Sequence, residues 1–146
     1  MKLIKPTFEI LEQATGLTGA YKQIEIAGRT CYKSESKITK DSAKEFVMRM
    51  MASGHGAMLE HGTIYLLLPE NSYNNEIHSH YMYNPYSRCK DNDLGEVFIT
   101  TNYRVIVENG WYEDLQYLCE PTEYHEKRIT SKFICDRGVS HKKFVA

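Results

Sequence analysis

Residues 54–61 read Gly-His-Gly-Ala-Met-Leu-Glu-His, so two imidazoles and a carboxylate stand within eight residues. An imidazole can hydrogen-bond the edge of a flat polar heterocycle, and a carboxylate can accept from a ring N–H or a hydroxyl. The stretch runs directly into the apolar residues Thr63 to Leu68. Titratable groups at the junction of a helix and a buried strand are costly to place there without partners. His55, Glu60 and His61 therefore serve either a ligand or a polar network of their own, a helix cap with a buried His–Glu hydrogen bond. Spacing alone leaves both readings open.

Other polar groups offer weaker chemistry. His78-Ser79-His80 with Cys89 is a partial zinc set, but no fourth ligand stands at a usual spacing, so an exposed polar loop is expected instead of a metal site. Arg29, Arg104, Arg128 and Arg137 are candidate anion clamps. Arg137 lies where a helix is expected to start and backbone N–H groups favour an anion; the alternative is pairing with Asp136 or Glu126. Lys142-Lys143 is too short for a nucleic-acid patch. No nucleophile motif or phosphate loop is present. The glycines at 54 and 56 lack the third glycine and the preceding strand of a dinucleotide-binding turn.

These residues need elements to position them. Residues 2–5 suit a short edge strand ended by Pro6. Tyr21, Ile24, Ala27 and Cys31 recur at helical spacing and predict a helix over Thr18 to Tyr32. Asp41 is an expected N-cap for a second helix with Ala43, Phe46, Val47, Met50 and Met51 as its core stripe and Gly54 as its C-cap. Thr63 to Leu68 reads as a strand covered on both faces, ended by Pro69. Residues 70–95 read as a long polar loop rich in Asn and Tyr. Val97 to Thr101 predicts another strand, Tyr103 to Glu108 a short helix capped by Asn102 and closed at Asn109-Gly110, and Asp114 to Leu118 a further helical turn. Arg128 to Cys135 alternates as a strand, with a helix beginning at Val139.

Composition sets the outer bounds. The chain has 146 residues, expected to form one domain, with 42% hydrophobic and 25% charged residues. A formal net charge of −1 gives no global pull toward nucleic acid, and no apolar run approaches the roughly 20 residues of a membrane span. Cys31, Cys89, Cys119 and Cys135 form no C-x-x-C pair, which predicts reduced thiols in a cytoplasmic protein. Eleven tyrosines favour wet pockets and interfaces, and self-association is expected.

Several blocks resemble, in order, the flavin-dependent thymidylate synthases. They are Ala27-Gly28-Arg29-Thr30-Cys31-Tyr32-Lys33-Ser34, then residues 53–61, Ile99 to Gly110, Glu120 to Thr130, and Phe133 to His141. The resemblance covers about residues 1–145. It implies an α+β fold with an antiparallel sheet packed with helices, homotetrameric assembly, and methylation of dUMP to dTMP with methylenetetrahydrofolate, NADPH and FAD. It places His55, Ala57, Glu60 and Cys31 at flavin-contacting positions; a small residue there fits close approach of the ring system. The family signature, Arg-His-Arg-x7-Ser, would begin after Phe144-Val145, where this sequence has Ala146 and ends. Lys142-Lys143 also replaces what is usually a single acidic or amide residue. Each arginine–phosphate contact contributes about 1.5–3 kcal/mol. The resemblance thus implies that residues 1–146 are a single, incomplete domain of this kind and not a competent synthase alone, with a non-catalytic flavin- or subunit-binding homologue as the alternative.

Overall fold

Proline has no N–H to give a strand ladder, and the first strand starts beyond Pro6, not before it: β1 spans Thr7–Leu11. Its partner is β5 (Thr130–Ile134), antiparallel, with Phe8 opposite Phe133 and their rings 5.0 Å apart. In this computed structural model residues 3–136 are described. The readings of Arg137, of the helix from Val139 and of Lys142-Lys143 lie outside them. Of the described residues, 13–128 form one compact unit, and 3–12 with 129–136 form the other.

The larger unit contains the remaining elements. Helix α1 (Gly16–Cys31) matches the expected span, and its stripe is buried at Tyr21 and Ile24 but exposed by Cys31. Helix α2 (Ala43–Ala52) buries Ala43, Phe46 and Val47. Gly28 lets the two helices close, since a Cβ there would lie 2.4 Å from the Phe46 ring. A charged bond crosses the same contact. Glu25, 1% exposed, accepts from Arg29 Nε at 3.3 Å and from the Ser42 hydroxyl at 2.7 Å, and the Arg29 guanidinium sits 4.7 Å over the Phe46 ring. The N-cap of α2 is therefore Ser42, not Asp41, and its hydroxyl is committed to Glu25 instead of the helix end.

The other end of α2 is well closed. Gly54 takes φ +72°, its N–H donates to Met51 O at 3.2 Å, and the His55 N–H donates to Met50 O at 3.0 Å. This pair of bonds is the Schellman arrangement. One turn of helix, α3 (Gly56–Leu59), follows and leads into β2 (Thr63–Leu68). Antiparallel to β2 runs β4 (Val97–Asn102), with Thr63 opposite Asn102, and β3 (Arg88–Asp91) pairs on the far side of β4. The Gln13 side chain fixes the start of β2, donating to Thr63 O at 2.8 Å and accepting from its N–H at 2.9 Å. As expected, β2 is covered on both faces. Ile64, Leu66 and Leu68 join the helical core, while Tyr65 packs edge-on against His125.

Residues 70–95 are not a structureless loop. They hold helix α4 (Glu76–Tyr83) as well as β3. Asn75 caps α4 by accepting from the His78 N–H at 2.8 Å, and the fully buried Tyr81 donates to Asp114 at 2.8 Å. Tyrosine and histidine read as polar in sequence, yet each is buried here with its polar atom hydrogen-bonded and its ring packed on another aromatic. Helix α5 (Tyr103–Asn109) forms as expected, with Asn102 Oδ1 accepting from the Val105 N–H. The turn after it is a 3₁₀ helix, Tyr112–Tyr117. The described residues are thus mixed α/β with two small antiparallel sheets and several helices. Among the described residues no helix is long and apolar enough to cross a membrane.

The buried Glu25–Arg29 pair makes a direct prediction. Replacing Glu25 with Gln leaves a buried guanidinium without its counter-charge and should cost about 3–5 kcal/mol. Urea unfolding monitored by circular dichroism measures it; a loss under about 1 kcal/mol would show that water reaches Arg29.

Candidate functional site

The 54–61 stretch is placed by both of its neighbours. The Schellman closure of α2 sets His55 down at the entrance to α3, where it is exposed. Its partner is Tyr32, not Glu60. The Tyr32 hydroxyl lies 2.8 Å from His55 Nδ1, and the rings stack at 6.0 Å. The buried His–Glu bond expected as one reading is absent. Tyr32 directly follows α1, so the same contact brings the exposed Cys31 to the start of α3. Ala57 is exposed on the turn between.

Glu60 closes α3 and faces a cation from another element. Arg104, in the first turn of α5, donates to Glu60 Oε1 at 2.5 Å through Nη1 and to Glu108 Oε1 at 2.7 Å through Nε. These hydrogen bonds, that of Glu108 foremost, raise the pKa of a guanidinium that is already a permanent cation. Gly56 borders the clamp: a Cβ there would lie 3.3 Å from Arg104 Nε. His61 is exposed beside Glu60 in sequence. The result is an open surface carrying an imidazole oriented by a phenol, a carboxylate held by a guanidinium, and two small residues. Such a surface can donate to and accept from the edge of a planar heterocycle and admit its face closely.

Tyr32, Arg104 and Glu108 enter the site without having been singled out together. Tyr32 was visible as the neighbour of Cys31. The Arg104–Glu108 spacing of four on an expected helix was a readable signal for an ion pair. The long-range bond to Glu60 had no sequence signal.

The remaining candidates separate from the site. Arg29 is no anion clamp, because it is buried on Glu25. Arg128 donates to Tyr86 O at 2.8 Å, and burial lowers its pKa. His78 is buried in α4, its Nδ1 accepting from the Asn74 N–H, so the expected exposed loop is a helix. His80 stacks on Trp111 at 5.1 Å. Burial pushes the Cys89 thiol up to about 11, away from thiolate chemistry. Among the described residues no group of three His, Cys, Asp or Glu side chains is placed to hold a metal ion. His125 is likewise structural. It accepts from the Thr122 N–H at Nδ1, which leaves Nε2–H to donate to Leu66 O at 2.9 Å, and burial lowers its pKa.

Comparison with protein-family models, curated proteins and solved structures finds no match to this chain.

An exposed ligand surface should be separable from the core that carries it. Tyr32→Phe and His55→Ala are each expected to change unfolding free energy by no more than about 0.5 kcal/mol. A loss of about 2 kcal/mol or more in urea unfolding would assign the pair to holding the fold.

Proposed function

We propose that this chain is a relative of the flavin-dependent thymidylate synthases and that His55, Ala57, Glu60 and Cys31 form a wall against FAD. The observation that carries this reading is the ordered recurrence of five sequence blocks across almost the whole chain. The geometry supports it. The four residues lie on the exposed stretch at 54–61 or are joined to it through Tyr32, and each is open to a ligand. His55 and the Glu60–Arg104 pair supply polar partners for a flavin edge, while Ala57 leaves room for its face. When bound, the flavin supplies hydride transfer; the protein's own groups bind and orient it. In this reading dUMP, methylenetetrahydrofolate and NADPH are the other reactants, the subunits assemble as a homotetramer in the cytoplasm, and the fold is the family's α+β arrangement around an antiparallel sheet.

A second reading rests on the same two exposed polar residues, His55 and Glu60. A flavin- or subunit-binding homologue without synthase activity would keep both.

Two measurements separate these readings from each other and from neither. Titration of FAD into the purified protein should quench flavin fluorescence saturably, and His55→Ala with Glu60→Gln should weaken binding by about tenfold or more. Absence of quenching would remove the flavin wall and the first reading; a protein that ignores FAD and also stays monomeric would remove the second. The 146-residue polypeptide alone should leave a thymidine auxotroph dependent on thymidine; growth without thymidine would show that synthase activity needs no Arg-His-Arg stretch.

A further inference from the structure

Helix α2 has a second furnished end, opposite the one that carries His55. A cavity of about 430 Å³ opens there between the first turns of α1 and the approach to α2. Lys22, Lys40 and Lys44 line it, with Leu17, Tyr21 and Asp41. Three lysines and one aspartate, all exposed, are among its lining residues, so the formal charge of the lining is positive. Among the described residues, none of the three lysines forms an ion pair or a side-chain hydrogen bond. Every arginine at the 54–61 surface and in the α1–α2 contact is, by contrast, engaged with a carboxylate or an aromatic ring.

Like charges drawn to one concave site repel each other unless an anion joins them, and a cleft lined by one sign of charge concentrates counter-ions. The end of α2 adds a smaller contribution of the same sign. Its Ser42 hydroxyl is turned to Glu25 and to Thr39 O, leaving the first-turn N–H groups without a side-chain cap. The volume exceeds what a bare phosphate fills and falls in the range of small-molecule sites. Leu17 and the Tyr21 ring give the wall an apolar part, while the Tyr21 hydroxyl is committed to Tyr103 at 3.1 Å.

We propose that this cavity binds a small organic phosphate, with Lys22, Lys40 and Lys44 contacting the anion and Leu17 and Tyr21 contacting its apolar part. The site is distinct from the flavin wall: the ten residues of α2 separate the two by about 15 Å. It does not rest on the flavin reading.

The test uses phenyl phosphate and inorganic pyrophosphate, with no flavin present. In ¹H–¹⁵N spectra of the whole chain, phenyl phosphate should shift the amides of residues 17–22 and 40–44 saturably, and pyrophosphate should compete. Lys22→Gln/Lys40→Gln/Lys44→Gln should weaken binding by about tenfold or more, while Lys90→Gln/Lys127→Gln should leave it unchanged. If the triple variant does not fold, Lys40→Gln and Lys44→Gln singly should each weaken binding by about threefold. No saturable shift, or equal weakening in the control variant, overturns the proposal.

Discussion

A carboxylate at 1% exposure is tolerable only if its charge is met, and Glu25 is met by Arg29 and Ser42 together. That requirement fixes how α1 and α2 sit against each other. It also explains the close helix contact, because Phe46 packs over Gly28 and under the Arg29 guanidinium at once. Both ends of α2 inherit the consequence. At the N-terminal end Ser42 is diverted from capping, next to three lysines. At the C-terminal end the Schellman turn through Gly54 delivers His55 to the Tyr32 hydroxyl, within reach because α1 ends there.

The second half of the site depends on the sheet. Register places Thr63 opposite Asn102, so the segment entering β2 and the segment leaving β4 lie side by side. The Tyr103 N–H donates to Gly62 O at 2.9 Å and locks this corner, and Asn102 starts α5 at once. Arg104 is thereby carried to Glu60. A ligand at this surface would meet a carboxylate whose position is set by β-sheet register and an imidazole whose position is set by helix packing. Each is positioned by a different part of the fold, and groups held in place before a ligand arrives lower the ordering cost of binding.

Much of this was legible in the sequence, and the limits are physical. Apolar periodicity placed α1, α2, β2 and β4, and Gly54 and Asn102 were readable as helix-end residues because their side-chain chemistry is local. Helix α4 was missed because its buried residues are His78 and Tyr81, whose burial depends on Asn74 and the distant Asp114. Arg29 looked like an anion clamp because Glu25, one turn earlier, gives no sign in sequence of being buried. Ser42 displaced Asp41 as the cap for the same reason. The site residues at 54–61 were visible as types and spacing; the partners that orient them, Tyr32 and Arg104, come from 23 and 44 residues away and needed the fold.

The proposed flavin surface is built by the end of α1, the 54–61 stretch and the start of α5. Mapping FAD-induced shifts in ¹H–¹⁵N spectra tests it most directly. The largest shifts are expected on residues 30–32, 54–61 and 103–104, with the buried amides of Leu66 and Ile99 little changed. Saturable binding with its shifts centred elsewhere, or no shifts at all, would contradict the flavin proposal.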